Sequence, residues 1–269
     1  MTTETIEHTF SVRLPARLSL ANIRGSVEIA AGEEGVIYIL AKKHLESGEA
    51  EHTQLLIRQA EDGGVSAETR FEGVNWFSLP ATKPCKVDYL IHTPRECNLQ
   101  VNCVSSSLSI QGISGAMTIS TVSGDLKLVD LAGSLQVKSV SGDISAENIS
   151  AQLALETVSG DVTLHVPAQT GFSIISQSIS GNVVTTLPVT QRQKSFGETR
   201  VTIGAGGASI QHRSISGDLI INDDGSAESP APAVEQGILD HMDILERIER
   251  GEMTVDEALH SLQPDPPLS

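Results

Sequence analysis

Basic residues, aromatic rings, thiols and long apolar runs are all scarce in this chain of 269 residues. Lys and Arg number 18 against 34 Asp and Glu, a formal net charge of −16. Polyanions repel one another, so this balance excludes non-specific binding to nucleic acid or to an anionic membrane surface. No apolar run reaches the ~18 residues that a membrane-crossing helix needs, which excludes a transmembrane segment. Phe, Trp and Tyr make up only 3% of the residues, so any core must be aliphatic. Yet 39% of the chain is hydrophobic and its mean hydropathy is −0.02, too apolar for a disordered polymer. The length allows one large domain or two ordinary ones.

Cys85, Cys97 and Cys103 are the only thiols. An odd number excludes a full disulfide framework. His92 and Cys97 could supply two zinc ligands, but no close second pair completes a site of four. The thiols are therefore expected to be buried and structural, with no metal and no cofactor. The first residues, MTTETIEHTFSVRLPARLSL, show no basic start, apolar segment or small-residue cleavage site. A cytoplasmic location is the expectation from that pattern.

What the chain does have is a repeat. Ser-Gly-Asp occurs at Ser123–Asp125, Ser141–Asp143, Ser159–Asp161 and Ser216–Asp218. The first three copies are 18 residues apart, and weaker copies between them bring the period to nine. In blocks of nine from Met117, column one reads Met117, Leu126, Leu135, Ile144, Leu153, Val162. Column three reads Ile119, Leu128, Val137, Ala146, Leu155, Leu164. Column six reads Val122, Leu131, Val140, Ile149, Val158. Columns one and three share the two-residue period of a strand, with mostly polar or small residues between them. A small residue in column eight permits a tight bend. Two unit types alternate, T-V-S-G-D and D-L-A-G-S, which predicts an all-β solenoid with coils of about 18 residues and two unlike sides. Leu108, Ile110 and Ile113, and Leu99, Val101 and Val104, extend the columns backwards. Asn22–Ile29 reads as another unit of the second type, and Ile179–Val183 and Ile215–Ile221 as units of the first. Gly35–Ala41, Gln54–Gln59 and Lys86–His92 read as strands. Glu61–Pro84 and Thr186–Gly207 read as projecting loops, and Gly204–Gly207 as a turn, since the Lys-Ser/Thr of a phosphate-binding loop is missing. The aromatic cluster Phe71–Phe77 around Trp76 reads as a plug over one open end or as a contact patch. The plug is favoured because open ends need covering.

A second kind of pattern begins near the C-terminus. Residues 223–234 are a flexible linker rich in Pro, Ser, Ala and acids. Ile238, Leu239, Met242, Leu245 and Ile248 follow helical spacing, Gly251 fits a helix C-cap, and Thr254–Glu257 forms a capping box before a second apolar stripe. Residues 235–263 thus predict a helical hairpin. It is too short to fold unaided, so it must cap its own solenoid, meet a second copy or dock a partner. Charge divides at the same place. Residues 222–269 hold 12 acidic and 2 basic residues, a net of −10, against −6 for residues 1–221.

The V-S-G-D-[LIV] copies, the intervening L-x-G-S-L units and the late S-I-S-G-D-L-x-I closure resemble the bacterial putative-adhesin family of unknown function, described as toast-rack β-solenoids. The resemblance covers roughly residues 8–222. It implies a right-handed β-helix-like fold and an association with envelope stress, and it brings no catalytic residues. The tail I-L-E-R-I-E-R-G-E-M-T-V-D-E-A-L resembles the SHOCT-like helical hairpin, which implies oligomerisation.

The reading that follows is a non-catalytic scaffold or interaction module, not an enzyme, which meets a protein partner or a second copy through the hairpin. Alternatives are a polysaccharide-binding or polysaccharide-cleaving β-helix, or an exported adhesin. Asp125, Asp143 and Asp161 should stack in one ladder. They either cap their own turns by accepting backbone N–H bonds or form a weak cation site. The scattered His residues, among them His44, His52, His165 and His212, show no ligand spacing.

Overall fold

A computed structural model describes residues 2–72, 83–166, 171–195 and 197–223. The expected linker beyond Asp223, the helical hairpin and Trp76 lie outside the described residues. The described residues are all-β. Seventeen strands run β1 Thr3–Ser11, β2 Ala16–Ala31, β3 Val36–His44, β4 Thr53–Gln59, β5 Val65–Phe71, β6 Lys86–Thr93, β7 Cys97–Gln111, β8 Ser114–Ser123, β9 Leu126–Ser141, β10 Ile144–Thr157, β11 Val162–Val166, β12 Phe172–Ser180, β13 Val183–Thr185, β14 Val189–Ser195, β15 Glu198–Ile203, β16 Ala208–Ser216 and β17 Leu219–Asp223. They are hydrogen-bonded into one 17-stranded sheet. Among the described residues no helix is long and apolar enough to cross a membrane.

The 18-residue period is the pairing register. Met117 lies beside Leu99, Leu135 beside Met117 and Leu153 beside Leu135, all parallel. Nine residues out of phase, Leu126 lies beside Leu108, Ile144 beside Leu126 and Val162 beside Ile144. Successive nine-residue units therefore fall on opposite walls, and β2, β7, β9 and β10 bend from one wall into the other. Columns one and three of both walls point inward. Ile119, Leu128, Val137 and Ile144 are at most 1% exposed, and each buried aliphatic side chain contributes about 1.5–3 kcal/mol. Residues of both walls, Leu153 and Ile210 from one and Ala146 and Leu164 from the other, line one small void of about 10 Å³, so the two walls pack against each other there.

Column six divides between inside and outside. Ile113 and Leu131 are buried, but Val104, Val122, Val140 and Val158 are 42–48% exposed. The two corners turn differently. Ahead of Ile113, Leu131 and Ile149 stand Gly112, Asp130 and Asn148 with φ of 77°, 53° and 51°. That left-handed residue, tolerated by Gly, Asp and Asn, swings the following aliphatic inward. The other corner lacks that residue. Both corners have a positive-φ glycine two residues after column six, Gly115 and Gly133 in one and Gly124, Gly142 and Gly160 in the other. With no left-handed residue before it, each valine keeps strand alternation after a buried Thr121, Ser139 or Thr157 and faces out. Asn22–Ile29 is likewise of the first type, because Gly25 pairs with Ser106 at the Gly124 corner.

The expected loops are partly strands. β5 pairs with β4 and with β2, burying Val65 and Ala67, and β14 and β15 form an antiparallel hairpin whose Val201 and Ile203 are buried. Two-residue alternation in Val65–Thr69 and Arg200–Ile203 carries that burial in the absence of the repeat. Gly204–Gly207 is a turn between β15 and β16. The last coil is also out of sequence order. β16 and β17 lie between the β10–β11 coil and the β12–β13 coil, so the chain leaves a place, lays down β12–β15, and returns to fill it.

Candidate interaction surface

The Ser-Gly-Asp corner is one narrow edge of the solenoid, on which Gly, Asp and apolar residues each form a row. The Gly row sits where a Cβ cannot. A Cβ on Gly142 would come within 2.4 Å of the Gly124 carbonyl oxygen, and one on Gly160 equally close to that of Gly142. The backbones of neighbouring rungs therefore approach closely only because these residues lack side chains.

The Asp row is a hydrogen-bond ladder. The Asp143 N–H donates to Asp125 Oδ1 (3.1 Å), Asp161 N–H to Asp143 Oδ1 (2.9 Å), Asp218 N–H to Asp161 Oδ1 (2.8 Å) and Asn182 N–H to Asp218 Oδ1 (2.8 Å). The carboxylates do accept backbone N–H bonds, but from the next coil rather than from their own turn, which corrects the expected self-capping. Asp218 belongs to this row although it stands 57 residues beyond Asp161, because its coil is the inserted one. Among the described residues no group of three or more His, Cys, Asp or Glu is arranged to hold a metal ion.

The apolar row is Val104, Val122, Val140, Val158, Ile215 and Ile179, one per rung. It is fixed by the flanking pairs Cys103–Thr121–Ser139–Thr157–Ser214–Ser178 and Ser105–Ser123–Ser141. Ile215 is 51% exposed and Ile179 83%. On the far side of this row the outer wall carries Lys138, Glu156 and Arg213 on adjacent rungs. Lys138 Nζ lies 2.8 Å from Glu156, and its hydrogen bond to that carboxylate holds the acid below the usual range. Between this charged row and the valines runs a groove of about 460 Å³, floored by Thr121, Ser139 and Thr157. Sequence reading set these valines in one column with Leu131 and Ile149 and did not separate the two corners. Their signal was the residue before them, Thr121, Ser139 or Thr157, whereas the buried aliphatics Ile113 and Leu131 follow the turn-formers Gly112 and Asp130.

Several other polar and thiol groups are buried or paired within the fold. All three cysteines are buried and unpaired. Burial pushes the Cys97 thiol up and that of Cys103 up to about 11, so both stay protonated and inert near neutrality. His92 lies against the Tyr38 ring, 6.1 Å between centroids. Asn22, Thr69, Tyr89 and Ser106 form a buried network in which the Thr69 hydroxyl meets both Asn22 Oδ1 (3.0 Å) and the Tyr89 hydroxyl (2.9 Å). Burial raises Tyr89 to about 12. Asp88 stands between Ser26 and His44. Partial burial would raise its pKa, but hydrogen bonds from both partners bring it below the ordinary value. The serine hydroxyl thus donates to the carboxylate rather than to the imidazole, which is not the relay a nucleophilic serine requires. His212 is buried, with Nδ1 3.0 Å from Ser176 Oγ, Nε2 without a partner, and a pKa pushed down to about 4 by burial.

No curated protein matches the chain. Among solved structures it is similar to a putative cell adhesion protein from Clostridium sporogenes, at 11% identity over 82% of this chain and 100% of the other, with a TM-score of 0.44. It is similar to a putative adhesin from Bacteroides fragilis at 12% identity, covering 81% and 97%, with a TM-score of 0.46. It is also similar to a putative lipid binding protein from Parabacteroides distasonis at 12% identity, covering 82% and 96%, with a TM-score of 0.27. The Toastrack DUF4097 family matches residues 87–222, the stretch that holds the full register of 18-residue coils. The chain belongs to the Toastrack DUF4097 family.

Proposed function

We propose that this protein is a non-catalytic scaffold that presents a regular edge to a protein partner and assembles through its C-terminal segment, residues 235–263. The observation that carries the reading is the Ser-Gly-Asp edge. Its carboxylates, the obvious candidates for chemistry, each give an oxygen to a backbone N–H of the next coil, while its aliphatic row is left in water. Polar groups committed to the fold beside apolar groups left uncovered suit binding better than bond-breaking. A right-handed winding of the coils fits the strong preference of parallel crossovers. Unpaired, buried thiols suit a reducing compartment, which supports a cytoplasmic reading.

The test compares the full chain with one ending at Asp223, by light scattering and by pull-down. Loss of the higher oligomer or of the captured partner on truncation is expected. Unchanged size and unchanged capture would overturn the assembly role.

A further inference from the structure

Single exposed valines are ordinary on protein surfaces. Six large aliphatics on six consecutive rungs, one above another, are not scatter. Together Val104, Val122, Val140, Val158, Ile215 and Ile179 expose on the order of 500 Å², the size of a functional patch but below the ~800 Å² per partner of a stable dimer. The strip is long and narrow. Five steps of about 4.8 Å make it about 24 Å long and one side chain wide. A second solenoid laid along it would gain too little area. One helix would match it. Its apolar stripe advances about 5.4 Å per turn, close to the rung spacing, and about 16 residues span the row.

Charge chooses the kind of helix. On one side of the strip run Asp125, Asp143, Asp161 and Asp218. Each carboxylate meets a neutral backbone N–H of the neighbouring coil, so the row is an acidic edge. On the other side Lys138 and Arg213 both approach Glu156, at 2.8 and 4.0 Å, leaving that flank with a net single positive charge that a cationic helix face would avoid. Resting on the scaffold reading above, we propose that this edge docks a basic amphipathic helix of a protein partner, its apolar stripe along the Val104–Ile179 row and its cationic flank along the Asp row.

The test titrates the full chain with a fluorescent 18-residue peptide of Leu and Lys, Leu at helical spacing, read by anisotropy. Val122→Ser/Val140→Ser/Val158→Ser changes only exposed side chains and should weaken binding at least tenfold with an unaltered circular dichroism spectrum. Asp125→Asn/Asp143→Asn/Asp161→Asn keeps the Oδ1 acceptors and should weaken binding severalfold while flattening its salt dependence. The same peptide with Glu in place of Lys should not bind. Serine variants that bind as tightly as the parent, or equal binding of the Glu peptide, would overturn the proposal. So would sedimentation showing that the serine variants dissociate the chain's own oligomer, because a second copy would then be the occupant. Failure here with tail-dependent partner capture intact removes the docked helix and leaves the scaffold. Failure of both removes the scaffold.

Discussion

Individual residues hold this fold by position more than by type. Gly142 has φ of 118° and a backbone carbonyl where its Cβ would be. Gly142→Ala should therefore cost upwards of about 2 kcal/mol in a denaturant titration, although an Ala for Gly exchange normally stabilises a chain. His212 makes the opposite kind of demand. Its folded pKa of about 4 lies below the unfolded value near 6.5. The unfolded chain therefore binds the proton more readily, and the stability His212 contributes is fully present above about pH 6.5 and lost as pH falls towards 4. Over that window the loss should reach about 3 kcal/mol, and His212→Leu should flatten this part of the pH–stability curve relative to the parent. Nothing in the sequence marked His212. It occupies the inward row of Val101, Ile119, Val137 and Leu155, but its coil is reached by a jump of 57 residues, outside the repeat that made the other rows visible.

At the scale of elements, the walls and their register were legible and the two corners were not. Columns one and three could be read because buried strands need an aliphatic every second residue whatever the topology. Column six was missed, because its facing turns on whether the residue before it takes a left-handed φ, as Gly112, Asp130 and Asn148 do. β5, β14 and β15 were missed for a related reason. They lack the repeat, and each pairs with at least one antiparallel neighbour, β5 with β4 and β14 and β15 with each other. The inter-coil ladder gives an element-scale expectation. Asp143→Ala removes the acceptor of the Asp161 N–H at 2.9 Å and should cost about 1 kcal/mol, whereas Asp143→Asn, which keeps an acceptor oxygen, should cost clearly less in the same thermal melt. The core has no such tolerance. Leu128→Ala, at a fully buried position, should cost about 2–5 kcal/mol.

For the whole molecule the decisive property is that each 18-residue coil crosses both walls and adds one rung to every row. A nine-residue insertion would exchange the walls, sending valines of the open edge into the core and core leucines to the edge. An 18-residue insertion keeps every row in register. Repeating Leu126–Asp143 once should therefore preserve a single cooperative unfolding transition with an undiminished midpoint. It should also lengthen the apolar row by one valine and the acidic row by one aspartate. The most direct measurement is the affinity of that extended chain for an amphipathic Leu/Lys helix of about 21 residues, long enough to reach the added rung. The expected result is binding severalfold tighter than to the parent chain. Equal or weaker binding to a chain that is folded and one rung longer would contradict the assignment of this edge as the docking surface.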